Sequence, residues 1–132
     1  MCIRDSSSTL IIAETRANRL TAFDILQDGK LENRRVFAET ENMYPDGICL
    51  DEEGAVWVAD PQNKEVIRIK EGGEITEKLE LGTRGAYACM LGGNDGKTLF
   101  VCTNSGSGPE IASQKSGKIE TTRVKIAKAG RP

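Results

Sequence analysis

The sequence predicts an all-β fold built as a partial β-propeller, and three observations carry that prediction. First, three segments of the 132-residue chain line up: "STLIIAET" (8–15), "GAVWVADP" (54–61) and "KTLFVCTN" (97–104), at spacings of 46 and then 43 residues. Each has a small or polar start, an apolar run, a small residue (Ala13, Ala59, Cys102) and a polar exit. Second, the echo extends to the flanks. "NRLTAFDI" (18–25) returns as "KEVIRIKE" (64–71) and, after a longer loop, as "GKIETTRVKI" (117–126). "GKLENRRVFAE" (29–39) returns as "GGEITEKLELG" (72–82). Third, no long window keeps a helical period of 3.6. Four short strands in about 45 residues is the signature of a propeller blade. A β-sandwich with accidental echoes is the competing architecture.

The elements follow in order. The first unit (6–38) reads as an incomplete blade whose innermost strand would precede Ser6. Residues 1–5, "MCIRD", read as a foreign lead, in the manner of a translated sequencing adapter. The middle unit (47–81) reads as a complete blade, with strands at about 47–51, 56–60, 65–70 and 75–81. They are rich in β-branched residues and separated by Gly, Asp and Asn, as hairpins require. "DEEG" (51–54) and "NDG" (94–96) are hairpin turns, since they lack the length and closing Glu of an EF-hand loop. Trp57, inside a strand, is core. The third unit (86–127) reads as a blade without its outer strand. Its "NSGSGPEIASQKSG" (104–117) reads as a mobile surface loop. Fewer than three full blades do not close a propeller, which needs four to eight. The chain is therefore expected to be the C-terminal part of a longer protein, with the N-terminal blades of that protein as its partner.

Bulk properties exclude several functions. The net charge is −2, with both signs mixed along the chain, which argues against a nucleic-acid surface and a polybasic membrane patch. No apolar run approaches the roughly 20 residues that span a bilayer. The chain has no histidine, so it carries no Ser-His-Asp or Cys-His nucleophile and no His-ligated zinc. A metal held here would be held mainly by oxygen, which favours calcium- or magnesium-like ions. Cys49, Cys89 and Cys102 sit in apolar runs and read as buried, reduced thiols, which places the protein in a reducing compartment, the cytoplasm.

The informative residue is Asp46, between Pro45 and Gly47 in "YPDGICLDEEGAVWVAD" (44–60). It lies in the loop that leads into an innermost strand, so its carboxylate is expected at the mouth of the central channel. Pro45 restricts the approach, and Gly47 lets the chain turn into the strand without a clashing Cβ. Asp before Gly is also ordinary turn chemistry. The aligned position in the next unit is Ala86, which makes the carboxylate local to this blade. On the same face, Glu14 and Arg16 read either as contacts to a polyhydroxy substrate or as a solvated turn. Arg84 and Tyr87 are expected near the channel.

These segments carry a resemblance. "YPDGICLDEEGAVWVAD" with "EVIRIKEGGEI" and "ACMLGGNDGKTLFVCT", preceded by "STLIIAETRANRLTAFDI", resembles the last blades of the senescence marker protein/regucalcin/gluconolactonase family over about residues 6–127. The resemblance implies a six-bladed parent propeller that hydrolyses sugar lactones or related esters. It implies one divalent cation in the channel, calcium first, with zinc, magnesium or manganese as alternatives. It further implies that Asp46 is a metal ligand and general base, and that the region of Arg84 and Tyr87 shapes substrate access. The family's other ligands, a Glu and Asn residues, have no counterpart in this sequence, so the chain by itself is expected to be inactive. The reading from a different class is a non-catalytic propeller that binds a ligand or a protein.

Overall fold

The computed structural model describes residues 2–3 and 9–130. Alternating apolar runs and tight turns fold the chain into three antiparallel sheets taken in sequence order. The first contains β1 (Cys2–Ile3), β2 (Thr9–Glu14), β3 (Arg19–Ile25) and β4 (Leu31–Glu39). The second contains β5 (Ile48–Leu50), β6 (Val56–Asp60), β7 (Glu65–Ile69) and β8 (Ile75–Glu80). The third contains β9 (Gly85–Gly92), β10 (Thr98–Asn104) and β11 (Lys118–Arg123). In each sheet the strands pair with their sequence neighbours, a simple meander.

The first strands of successive sheets meet: β1 lies near β5, and β5 near β9. This is the propeller arrangement, with first strands at the hub and later strands further out. The middle sheet has neighbours on both faces, which is why every residue of β6 and β7 is buried although side chains alternate sides. Trp57, Val56, Val58, Val66 and Ile67 are at most 1% exposed.

Three details depart from the sequence reading. A two-residue strand, β1, stands at the inner edge of the first sheet, where none was expected; of residues 1–5, Met1, Arg4 and Asp5 lie outside the described residues. The 104–117 stretch contains a single helical turn, α1 (Pro109–Ala112). Cys102 is exposed rather than buried. It is paired with Ala88 and Ile119 on the outer face of the last sheet, and its neighbours Val101 and Thr103 point inward. Met90, Phe100 and Ile119 share that open face, with Ile119 70% exposed. Cys49 and Cys89 are buried thiols on β5 and β9 with sulfurs 3.9 Å apart.

Candidate functional site

The loop from Asn42 to Gly47 passes from the first sheet to the hub strand of the second, and hydrogen bonds hold it along its whole length. Met43 N–H donates to Thr40 O at 2.9 Å. Met43 O accepts from the Asn18 amide, and Asn42 O accepts from Asn63 Nδ2 at 2.7 Å. Tyr44 N–H donates to Asp60 Oδ2 at 3.1 Å, and Pro45 O accepts from Thr15 Oγ1 at 2.7 Å. Asp46 N–H donates to Ala59 O at 3.0 Å, and Gly47 N–H donates to Tyr87 O at 3.0 Å. The loop is thus stitched to the β2–β3 turn, to β6 and the turn after it, and to β9.

Gly47 is required by proximity rather than by an unusual φ. A Cβ there would lie 2.5 Å from Ala88 Cα and 2.8 Å from Tyr87 O. Two hub strands approach so closely at this point that only hydrogen fits.

Asp46 is exposed while Pro45 before it is buried. Its carboxylate accepts no hydrogen bond and forms no ion pair among the described residues. Partial desolvation pushes its pKa above the ordinary aspartate value. The site therefore offers an unengaged carboxylate, slightly more basic than usual, on an immobilised loop at the hub.

The other sequence candidates are differently placed. Glu14 ends β2 directly opposite Arg19. Its oxygens are occupied by Arg19 Nη2 at 2.9 Å, Arg34 Nη2 at 3.2 Å and the Thr21 hydroxyl. The hydrogen bonds from Arg19 and then Thr21 hold its pKa down at about 2. Arg16 is exposed in the 3-10 turn 15–17, next to the Thr15 that braces Pro45. Arg84 donates from Nε to Thr103 Oγ1 at 3.0 Å and from Nη2 to the carbonyls of Thr103 and Ser116, tying down the loop that carries α1. Tyr87 offers its carbonyl to Gly47, and its side chain lines a cleft of about 300 Å³ with Cys102, Thr103 and Asn104. Asp46 and Tyr87 are therefore joined through the Gly47 backbone, whereas Glu14 and Arg84 are engaged in structural networks.

Two further residues on this face, Asp60 and Asn63, were given no task by the sequence. Asp60 is fully buried, and both of its oxygens accept hydrogen bonds. The signal was an Asp at a strand end followed by "PQN", an Asx-turn sequence. Its second oxygen, reaching back to Tyr44, is a tertiary contact that leaves no sequence mark.

A divalent cation such as calcium takes six to eight oxygens. Among the described residues no group of three or more His, Cys, Asp or Glu side chains is placed to hold a metal. Asp46 alone does not fit a complete cation shell, so the described residues by themselves do not form one.

Comparison with known proteins bears on this geometry. Residues 1–105 match the SMP-30/Gluconolactonase/LRE-like region. Regucalcin of Oryctolagus cuniculus is 35% identical over 107 residues, covering 77% of this chain and 36% of that protein. The 6-deoxy-6-sulfogluconolactonase of Pseudomonas putida is 28% identical over 126 residues, covering 91% of this chain and 43% of that protein. The crystal structure of a calcium-binding regucalcin from Agrobacterium tumefaciens superposes with a TM-score of 0.74 at 22% identity, covering 98% of this chain and 46% of that one. The chain thus spans less than half the length of these relatives. With the matched region covering most of its residues and the meander sheets meeting at a common hub, this chain belongs to the SMP-30/gluconolactonase/LRE-like family.

Proposed function

We propose that this chain forms part of a hydrolase that opens sugar lactones or related esters, and that Asp46 is its general base. The single observation supporting this is the free carboxylate on a fully tethered loop at the hub. Water attacks the lactone carbonyl as its proton passes to the Asp46 carboxylate. The tetrahedral intermediate then expels the ring oxygen, which takes that proton back from Asp46, and the hydroxy acid leaves. No covalent enzyme intermediate is needed, consistent with a chain that has no histidine.

One divalent cation belongs to this proposal, calcium first, with zinc, magnesium or manganese as alternatives, and Asp46 would give it one oxygen. The remaining donors would come from further sheets of the same fold in a longer protein, and those sheets are the proposed partner. The apolar open face of the last sheet, with Met90, Phe100 and Ile119, supports such a neighbour. On this reading the 132 residues alone do not turn over substrate. Arg16 and Tyr87 remain the proposed substrate contacts; Glu14 and Arg84 would act only by releasing their present partners. The second reading, from a different class, is a non-catalytic binding scaffold.

The test is Asp46→Asn in the chain extended to the length of its relatives, assayed on gluconolactone. Loss of about 100-fold or more in kcat is expected for a missing general base. Undiminished turnover would refute Asp46 as the base, whereas no turnover in the extended parent itself would leave the scaffold reading in place.

A further inference from the structure

We propose that Asp60 and Asn63 are positioning residues for Asp46: together they form a clamp, a buried carboxylate and an exposed amide, that fixes the loop and thereby the place of its free carboxylate. This inference rests on the catalytic reading of Asp46 above.

Asp60 closes β6 and is 0% exposed. Its Oδ1 accepts the backbone N–H groups of Gln62 and Asn63, both at 3.0 Å. Those two bonds are all that a turn requires of it. Its Oδ2 does something else. It accepts Tyr44 N–H at 3.1 Å, sixteen residues back in the sequence, and Asn63 Nδ2 at 2.8 Å. The same Asn63 amide donates to Asn42 O at 2.7 Å. The pair therefore grips the Asp46 loop at two points, residues 42 and 44. A buried charge is expensive unless it is fully satisfied; Asp60 forms no salt bridge among the described residues, and Lys78 acts on it only through its charge. Its position is fixed by donors alone, and the loop backbone supplies one of them.

The geometry passes this constraint directly to Asp46. One residue separates the clamped Tyr44 nitrogen from Asp46, and it is Pro45, whose ring locks φ. Just beyond, Gly47 is pinned to Tyr87 O. With both ends held and a rigid residue between them, Asp46 has little backbone freedom of its own. A base must stand within hydrogen-bond reach of the proton it takes, and displacement by about 1 Å costs about 100-fold in rate. Releasing Tyr44 should therefore reduce catalysis more than binding.

The experiment uses Asp60→Asn, which keeps the shape but turns an amide N–H toward N–H donors. Asn63→Ala is the second variant; it leaves the carboxylate in place and frees Asn42 O. In the 132-residue chain, hydrogen exchange at the Tyr44 amide should speed up in Asp60→Asn. In the extended protein, kcat on gluconolactone should fall about 10- to 100-fold, with KM changed less than about twofold. A merely structural residue would lower the melting temperature and leave kcat of the folded enzyme unchanged. If Asp46→Asn abolishes turnover while both clamp variants keep wild-type kcat, the clamp is overturned and the base stands. If Asp46→Asn itself keeps full turnover, the catalytic reading falls first, whatever the clamp variants do.

Discussion

Gly47→Ala is the sharpest structural test, because the consequence follows from two distances. The added methyl would sit 2.5 Å from Ala88 Cα and 2.8 Å from Tyr87 O. Carbon atoms rest at about 3.5–4.0 Å, so β5 and β9 must part by about 1 Å. Both obstacles are backbone or directly attached to it, and no rotamer change relieves them. Overpacking of this kind costs about 1–3 kcal/mol. The Gly47 N–H to Tyr87 O bond is stretched as well, worth about 1 kcal/mol. Against this, removing a glycine restricts the unfolded chain and returns about 0.4–1 kcal/mol. The net is a destabilisation of about 1–3.5 kcal/mol. Urea unfolding should show it as a midpoint lowered by about 1–2 M at unchanged slope. Gly117→Ala is the control, since nothing lies within 4 Å of its would-be Cβ and its φ is unexceptional. It should be neutral or slightly stabilising. Equal midpoints for the two variants would refute the close approach of the hub strands.

Asp51 is fully buried and holds the 5%-exposed Arg68 side chain through Nε at 2.6 Å, while its Oδ1 caps the N–H groups of Glu53 and Ala55. Asp51→Ala leaves a buried guanidinium without this partner and should lose about 3–5 kcal/mol by chemical denaturation; a loss under about 1 kcal/mol would contradict the burial. Glu14, with its folded pKa lowered to about 2, contributes stability above the unfolded carboxylate pKa that is lost as pH falls through about 2. Carboxyl NMR should find that low midpoint and see it rise toward the ordinary value in Arg19→Ala; an ordinary midpoint in the parent would dismiss the ion pair. Asp46 has the opposite sign. Its pKa is raised in the fold, so its favourable contribution is complete below the unfolded pKa and is lost as pH rises through the folded one. Asp46→Asn should therefore melt no lower than the parent near neutral pH, and a clearly lower melting temperature there would show that the ionised carboxylate has a stabilising partner.

The sheets were legible because each strand is a short β-branched run between turn residues, and because the pattern repeats. The strands of the middle sheet fall within one residue of the predicted ends. What the sequence hid is which turns touch. Thr15, Asn18, Asp60 and Asn63 all hold the 42–47 loop, from sixteen to thirty residues away. Nothing in their local spelling distinguishes them from solvated turn residues. Cys102 was misread for a related reason. Its strand is as apolar as its counterparts, but burial of one face depends on a neighbouring sheet, which strand periodicity does not report. The Glu14–Arg19 pair was within reach, because a hairpin at 15–18 places those residues opposite one another.

The turn reading of Asp46 can now be judged against its own kind. An aspartate that serves a turn accepts the backbone N–H two residues on. Asp28 does so from Lys30, Asp51 from Glu53, Asp60 from Gln62 and Asp95 from Lys97, each at 3.0–3.1 Å. Asp24, within a strand, is engaged by Asn33 and Arg35. Asp46 stands next to a glycine, as a turn residue would, yet its side chain makes no such bond among the described residues. Its own N–H and that of Gly47 go instead to neighbouring strands. A loop this thoroughly hydrogen-bonded does not need the carboxylate to hold its shape. Desolvation makes the ionised form mildly unfavourable for the fold, so stability does not account for an acid at this position. That is consistent with the use proposed for it above, a proton to accept or a cation to help hold.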